Sequence, residues 1–235
     1  MGPPIAASPN MTNTPHTNAN LEADLRAVSE RILAMGHLVE SHVAAAVRSL
    51  VQGDLELANR LAEADKAVNQ MELAVDDQCI RVLALYQPEA SDLRFIASAI
   101  KMVTDLERIG DLAVDMTESI RPWIGQSPLP AAAAIPALAE EAQKMLRDVL
   151  DAFVERDAAK AETIIAADAK LEEPVRRVCS EVTCEMESAP GAIERGVGLL
   201  FFAKQIKRVA DHVANIAEMV VYEVTGRDVR HADPV

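Results

Sequence analysis

Aromatic side chains are scarce in this chain of 235 residues, at 3% of the total, although half of the residues are hydrophobic. Strands are enriched in aromatic residues, whereas the residues that dominate here, such as Ala, Leu and Glu, favour helices. The composition therefore argues against a β architecture. It predicts an all-α fold with a sizeable aliphatic core.

Cysteine is also rare, and Cys79, Cys179 and Cys184 are the only three. An odd number without a CxxC motif argues against a disulfide framework and against a zinc ribbon. No run approaches the roughly 18–20 apolar residues that a transmembrane helix needs, and the N-terminus lacks the basic and apolar regions of a secretory leader. We therefore expect a cytoplasmic protein without membrane insertion.

Basic residues are in deficit, with 23 Lys and Arg against 37 Asp and Glu, and the formal net charge is −14. Acidic residues exceed basic ones in both halves of the chain. The summed field therefore repels phosphate backbones and anionic headgroups, so nucleic acid is not an expected partner. Metal cations and basic protein patches fit this charge better.

The first twenty residues hold four prolines among Asn, Thr and Ser, without apolar periodicity. This composition predicts a disordered N-terminal tail over residues 1–20. Met11 lies inside the tail, so the sequence leaves open whether translation starts at Met1 or at Met11.

After the tail, apolar residues recur every three or four positions, which is typical of amphipathic helices. Interruptions at Gly53-Asp54 and Gln87-Pro88 predict three helices, at about 21–52, 54–86 and 92–123. These helices make up the first predicted domain, residues 21–124.

The segment 125–130, GQSPLP, has the composition of a linker. Beyond it the plan repeats over residues 131–225, with breaks at Arg156-Asp157 and Ala189–Gly191. Three further helices are predicted to end near residues 154, 188 and 225. Residues 226–235 would form a C-terminal tail.

The two halves align with each other. A shift of 103 residues places Asp65 on Asp168, and a shift of 100 places residues 105–118 on 205–218. Internal repetition of this kind defines the architecture. Because three helices with short connections run up, down and up, we predict two tandem, pseudo-symmetric three-helix bundles with six long helices.

Carboxylates recur along the third predicted helix. We call Glu107, Asp111, Asp115 and Glu118 the acidic stripe. At 100° per residue these four fall within roughly 80° of one another, opposite the apolar residues, so we expect them on the surface. Their mutual repulsion requires compensation, either by solvent, salt and Arg108 or by a multivalent cation.

In the second copy the stripe reads Lys207, Asp211, Asn215 and Glu218, so a metal site there would be weaker. Arg108 and Arg208 occupy matched positions, where they either pair with nearby acids or contact a partner. For Asp65 and Asp168 we favour a buried hydrogen bond between helices over a role as ligands.

Other classes of protein are disfavoured. A ferritin-like di-iron oxidase would need inward-facing ExxH motifs, which are absent. The chain also lacks Walker, GxSxG and GxGxxG motifs. A metal-handling protein and a purely structural scaffold stay open as alternatives.

The segments DLERIGDLAVDMTE (residues 105–118) and KQIKRVADHVANIAE (residues 204–218) closely resemble the paired signature of the PhoU family of phosphate-uptake regulators. The resemblance spans essentially residues 21–225. It implies no enzymatic activity and a negative regulatory role in the phosphate-starvation response. The implied partners are the nucleotide-binding subunit of a phosphate ABC transporter and a sensor histidine kinase.

The resemblance also implies surface metal binding, with iron, zinc, manganese or magnesium as candidates. Carried over by position, it indicates Glu107, Asp111 and Asp211 as ligands. Weaker candidates are Asp115, Glu118 and Glu218. Lys207 departs from the family pattern, so a symmetrical second cluster is not expected. So aliphatic a chain is also expected to form a homo-oligomer, most simply a dimer.

Overall fold

The computed structural model describes residues 15–230, with side chains from residue 19 onward. This part of the chain contains helices and no strand, so the all-α prediction is confirmed. The α-helices are α1 (Pro15–Gln52), α2 (Leu55–Ala64), α3 (Lys66–Tyr86), α4 (Ala90–Ile120), α5 (Ile135–Glu155), α6 (Ala158–Ser188) and α7 (Ile193–Thr225). Short 3-10 helices lie at Arg121–Trp123, Pro130–Ala134 and Pro190–Ala192.

The start of the first helix differs from prediction. Helix α1 begins at Pro15, so residues 15–20, which we expected to be disordered, are helical. Proline is well tolerated in the first turn of a helix, because its missing N–H has no partner there in any case. The rest of the predicted N-terminal tail, with Met11, lies outside the described residues, as do residues 231–235 of the C-terminal tail.

The second predicted helix is interrupted. Asp65 ends α2 and precedes α3 as a single turn residue, and its side chain caps neither helix. The turn instead leaves Asp65 buried, with its carboxylate close to His42 of α1. The six predicted helices are therefore present, with the second divided into α2 and α3.

The turns after α1 and α5 have the same construction. Gly53 and Arg156 both adopt a positive φ, and the next residue of each turn is an aspartate that caps the following helix. Asp54 Oδ1 accepts a hydrogen bond from Leu57 N at 2.9 Å, and Asp157 Oδ1 accepts one from Lys160 N at 3.0 Å. Such caps satisfy backbone donors that the first turn leaves unpaired. The duplication seen in the sequence is therefore present in the local structure.

The two bundles meet along their third helices, α4 and α7, which run antiparallel. Arg94 near the start of α4 donates to Glu223 O near the end of α7, at 3.3 Å. At the other end, Gly198 lies against Ser119 and Trp123. A second contact joins α1 to α5, where Arg147 Nη1 donates to Glu40 Oε1 at 2.8 Å.

The apolar side of α4 fills the core between these helices. The residues predicted to lie opposite the acidic stripe are all buried, which confirms the helical phase: Met102, Val103, Leu106, Ile109, Ala113, Met116 and Ile120. The core is continuous from one bundle into the other. The two halves therefore do not behave as separate packing units.

Gly198 tests this packing. A Cβ atom there would lie 2.3 Å from Ser119 O and 2.5 Å from Trp123 Nε1. We predict that Gly198→Ala lowers the free energy of unfolding by about 1–3 kcal/mol, as overpacking does. Helix propensity alone would raise the free energy of unfolding, by roughly 0.5–1 kcal/mol. The sign of the change measured by urea unfolding therefore shows whether overpacking or helix propensity dominates.

Gly191 provides the matched control, because no heavy atom lies within 4 Å of the position its Cβ would take. Gly191→Ala should leave the unfolding free energy nearly unchanged. Equal or greater stability of Gly198→Ala would show that α4 and α7 do not approach as closely as described.

Candidate functional site

The acidic stripe divides into two parts in the folded protein. Glu107 and Asp111 lie on either side of Gly110 in α4, and a Cβ atom at Gly110 would be 2.7 Å from Oδ1 of Asp65, at the junction of α2 and α3. Asp115 instead faces α7, where it accepts a hydrogen bond from Gln205 Nε2 at 3.1 Å. The stripe is therefore not one uniform surface.

We call Asp65, Glu72, Glu107 and Asp111 the acid cluster. Burial raises the pKa of Glu107, and the charges of Asp111, Glu72 and Asp65 raise it further, whereas Arg108 lowers it. Burial likewise raises the pKa of Asp111, with the charges of Asp65 and Asp115 adding to it and Arg108 opposing. One arginine thus compensates only part of the accumulated negative charge.

Exposure of the stripe is uneven. Asp111 is 43% exposed and Asp115 and Glu118 are exposed, as predicted for a surface stripe. Glu107 is the exception, because only 15% of its side chain is exposed. The prediction that all four carboxylates lie on the open surface is therefore wrong for Glu107, whose side chain is largely covered.

Asp65 is the buried member of the cluster. Its side chain is 10% exposed, and its Oδ1 atom is buried without a hydrogen bond, 3.6 Å from His42 Nδ1. A Cβ atom at Gly110 would lie 2.7 Å from the same oxygen, so the glycine lets the carboxylate pack directly against α4. Our expectation of a hydrogen bond between helices is not met by this oxygen. A buried carboxylate oxygen without a donor is costly, and a cation would satisfy it.

The cluster is not a closed metal cage. Within residues 15–230, no three His, Cys, Asp or Glu side chains converge closely enough to hold one ion. Arg108 lies between the two stripe acids, with Nε 3.5 Å from Glu107 Oε2 and Nη1 3.3 Å from Asp111 Oδ2.

Other predicted site residues are engaged elsewhere. Glu118 pairs with Arg121, whose Nη1 also donates to Asn59 Oδ1 of α2 at 2.6 Å. Glu218 lines a groove of about 550 Å³ between α4 and α7, together with Arg230. Arg208 is exposed and donates to Gln205 Oε1 at 3.1 Å.

The second bundle holds a cation of its own at the corresponding place. Lys207 Nζ donates to Asp168 Oδ1 at 2.8 Å and also to Asp211 Oδ1. Burial tends to lower the pKa of Lys207, but the hydrogen bonds to Asp168 and Asp211 outweigh it and raise the pKa above its ordinary value. Asp211, predicted as a metal ligand, therefore pairs with an ammonium group.

Polar pairs across α4 and α7 were not predicted. Asp105 Oδ1 lies 2.8 Å from His212 Nδ1 and accepts from Asn215 Nδ2 at 3.1 Å, while Asp115 pairs with Gln205. Residues 105 and 205, and 115 and 215, are matched by the repeat. Asp105 thus meets Asn215, the repeat counterpart of Asp115, and Asp115 meets Gln205, the repeat counterpart of Asp105. This signal was present in the aligned segments, but only the antiparallel register reveals it.

Among the helices of the described residues, none has a stretch both long and apolar enough to cross a bilayer.

Comparison with known proteins gives a consistent result. The family model of the PhoU domain matches twice, over residues 32–120 and 135–220. The phosphate-specific transport system accessory protein PhoU of Escherichia coli is 33% identical over 216 residues, which cover 92% of this chain and 90% of the relative. A PhoU homolog of that accessory protein from Pseudomonas putida is 36% identical over 219 residues, covering 93% and 86%.

Solved structures agree with the sequence relatives. PhoU from Pseudomonas aeruginosa superposes with a TM-score of 0.83 at 37% identity, covering 88% of this chain and 99% of that one. The phosphate transport system regulatory protein PhoU from Streptococcus pneumoniae also gives 0.83, at 29% identity, covering 89% and 99%. Because the matches span nearly the whole chain and both repeats, this chain belongs to the PhoU family of phosphate transport accessory and regulatory proteins.

Proposed function

We propose that this protein is a non-enzymatic, cytoplasmic negative regulator of the phosphate-starvation response. It would link the nucleotide-binding subunit of a phosphate ABC transporter to a sensor histidine kinase and restrain phosphate uptake. The observation that carries the proposal is the match of both repeats to the PhoU domain. The curated relatives are described as accessory proteins of a phosphate-specific transport system, which is the role we extend to this chain.

The outer faces of the two bundles differ, as an adaptor with two partners requires. Ile193, Val197 and Phe201 follow one another on one face of α7, and all three are exposed. We call them the apolar strip. At the matched positions of α4 the chain has Leu93, Ala97 and Lys101, so the first bundle presents a more polar surface. One framework thus offers two chemically distinct contact surfaces.

Arg108 and Arg208 can contribute to both contacts. Both are exposed, and their present partners are residues on the same helix as themselves. The exposed ion pair of Arg108 with Asp111 adds little to stability, and Arg208 only donates a hydrogen bond to a neutral amide, so either guanidinium can exchange its partner for an acidic group on another protein. Homodimer formation stays a prediction, which analytical ultracentrifugation can measure.

We further propose that a divalent or trivalent cation binds the acid cluster, with Glu107 and Asp111 as its principal ligands. Carboxylate oxygens suit manganese, magnesium and iron, and zinc also accepts them. Support comes from the raised pKa values of both carboxyl groups and from the buried oxygen of Asp65. A bound cation would change the charge of one face by several units and so alter its affinity for a partner.

The other predicted ligands are weaker candidates for this cation. Asp115 and Glu118 have partners in Gln205 and Arg121, and Glu218 lies in the groove that Arg230 lines. The alternative functions are metal handling without a regulatory partner and a scaffold without metal. Co-purification and metal content, measured on one sample, distinguish all three.

A bound cation should stabilise the folded protein. After dialysis against a chelator, Mn²⁺ should stabilise the wild-type protein, by about 2.7 kcal/mol at a hundredfold excess over the dissociation constant. Glu107→Gln combined with Asp111→Asn should abolish this stabilisation and the metal content measured by elemental analysis. Glu181→Gln combined with Glu187→Gln removes two exposed acids elsewhere and is the control. Equal metal content in the two double variants would contradict the assignment.

Without metal, the stability conferred by Glu107 and Asp111 should depend on pH. A carboxyl group with a raised pKa in the folded state stabilises the protein below its ordinary pKa of about 4, and this contribution is lost as pH rises through the raised value. At neutral pH the double variant of Glu107 and Asp111 should therefore be more stable than wild type, by roughly 0.5 kcal/mol per like-charged pair removed.

The advantage of this variant should shrink as pH falls toward the ordinary carboxyl pKa. Urea unfolding across that window, in chelator, measures it. A difference that stays constant with pH would show that the two carboxyl groups titrate as ordinary surface acids.

The apolar strip should contribute to the binding of a partner. Tagged protein from phosphate-replete cells should co-purify the nucleotide-binding subunit and the kinase. Phe201→Ser should lower the recovery of one of them at least about fivefold, the effect of about 1 kcal/mol at an aromatic contact. Leu73→Ser, at another exposed apolar residue, is the control and should change neither recovery. If Phe201→Ser leaves both recoveries unchanged, the apolar strip is not a contact surface.

A further inference from the structure

Lys207 lies between two carboxylates at the junction of α6 and α7. Its Nζ atom is 2.8 Å from Asp168 Oδ1 and also donates to Asp211 Oδ1. Only 16% of the lysine side chain is exposed, against 23% for Asp168 and 50% for Asp211. The ammonium group is thus a largely enclosed cation held by two oxygens, not a freely solvated surface charge.

When the two halves of the chain are aligned, this arrangement corresponds to the acid cluster of the first bundle. Asp168 corresponds to Asp65 by the shift of 103 residues, and Lys207 and Asp211 correspond to Glu107 and Asp111 by the shift of 100. The first bundle therefore has three carboxylates where the second has two carboxylates and an ammonium group. The pKa values differ accordingly: those of Glu107 and Asp111 are raised by burial and neighbouring acids, whereas hydrogen bonds hold the pKa of Lys207 high.

A second difference accompanies the first. The helix position beside the cluster is Gly110 in the first bundle and Ala210 in the second. Gly110 lets Asp65 approach α4 so closely that a Cβ atom would lie 2.7 Å from its Oδ1 atom. That buried oxygen has no hydrogen-bond partner. Asp168 is more exposed and directs its oxygen to Lys207 instead.

We propose that Lys207 is a tethered counter-cation that permanently fills the cation position of the second bundle, so that within residues 15–230 an exchangeable cation has one site, at the acid cluster of the first bundle. This rests on the proposed function, because it assigns the stoichiometry and the selecting residue of that cation site. An ammonium group and a hard metal ion both neutralise clustered carboxylates, but only the metal ion can leave. The second bundle is therefore stable without metal, and the first responds to it.

The test exchanges the residue types at Glu107 and Lys207, with Mn²⁺ as the probe. The wild type should bind one Mn²⁺ per chain by isothermal titration calorimetry and elemental analysis. Lys207→Glu should bind two, and Glu107→Lys should bind none. If wild type and Lys207→Glu bind the same number of Mn²⁺ ions per chain, the inference about Lys207 is wrong. A wild-type value of one would still support the proposed cation of the first bundle.

A metal-free measurement keeps the test independent of Mn²⁺ affinity. In chelator, Glu107→Lys should raise the urea midpoint above wild type, because it supplies the missing counter-charge, and Lys207→Glu should lower it. Lys207→Met removes the charge without adding a ligand, so it should lower the midpoint and leave the Mn²⁺ ratio at one. If the wild type binds no Mn²⁺ although both midpoint shifts occur, the proposed cation fails and the counter-charge role of Lys207 stands. If neither midpoint moves, Lys207 is not a counter-cation.

Discussion

The close antiparallel packing of α4 against α7 is the constraint on which the rest of the structure depends. Gly198 allows the two backbones to approach at one end, and Arg94 joins the helices at the other. This register brings the α4 carboxylates Asp105 and Asp115 against amides of α7, while Gly110, between Glu107 and Asp111, lies against Asp65 at the junction of α2 and α3. Interfaces packed to interior density admit few alternatives, so one close contact determines which face of α4 is free.

Duplication produced two similar frameworks in which the charges have diverged. The turns, the capping aspartates and the buried carboxylate position are shared, whereas the third-helix residues are Glu107 in one copy and Lys207 in the other. Clustered carboxylates need a compensating positive charge in either case. In the second bundle the Lys207 side chain supplies this charge, and the first bundle relies in part on the exposed Arg108. A symmetrical fold has thereby become electrostatically asymmetrical.

Much of this could be read from the sequence because it depends on local periodicity. The all-α fold, the breaks at Gly53-Asp54 and Arg156-Asp157 and the burial of the apolar side of α4 all follow from residue spacing and are confirmed. The family resemblance is likewise confirmed. The predicted continuity of the second helix is wrong, because nothing in the local pattern marks Asp65 as a turn residue. The disorder expected for residues 15–20 is also wrong, since a proline in a first turn does not prevent a helix.

By itself, the sequence determined most of the helical residues, the main breaks between helices and which helix faces are apolar, since these properties depend on neighbours within about one turn. It also determined that the two halves share one plan and one family. Only the tertiary structure decided that the acidic stripe divides between α3 and α7, that Glu107 is covered while Asp111 is open, and that Lys207 reaches Asp168. The physical reason is that the environment of a charge depends on groups brought close by packing, many of which are distant along the chain.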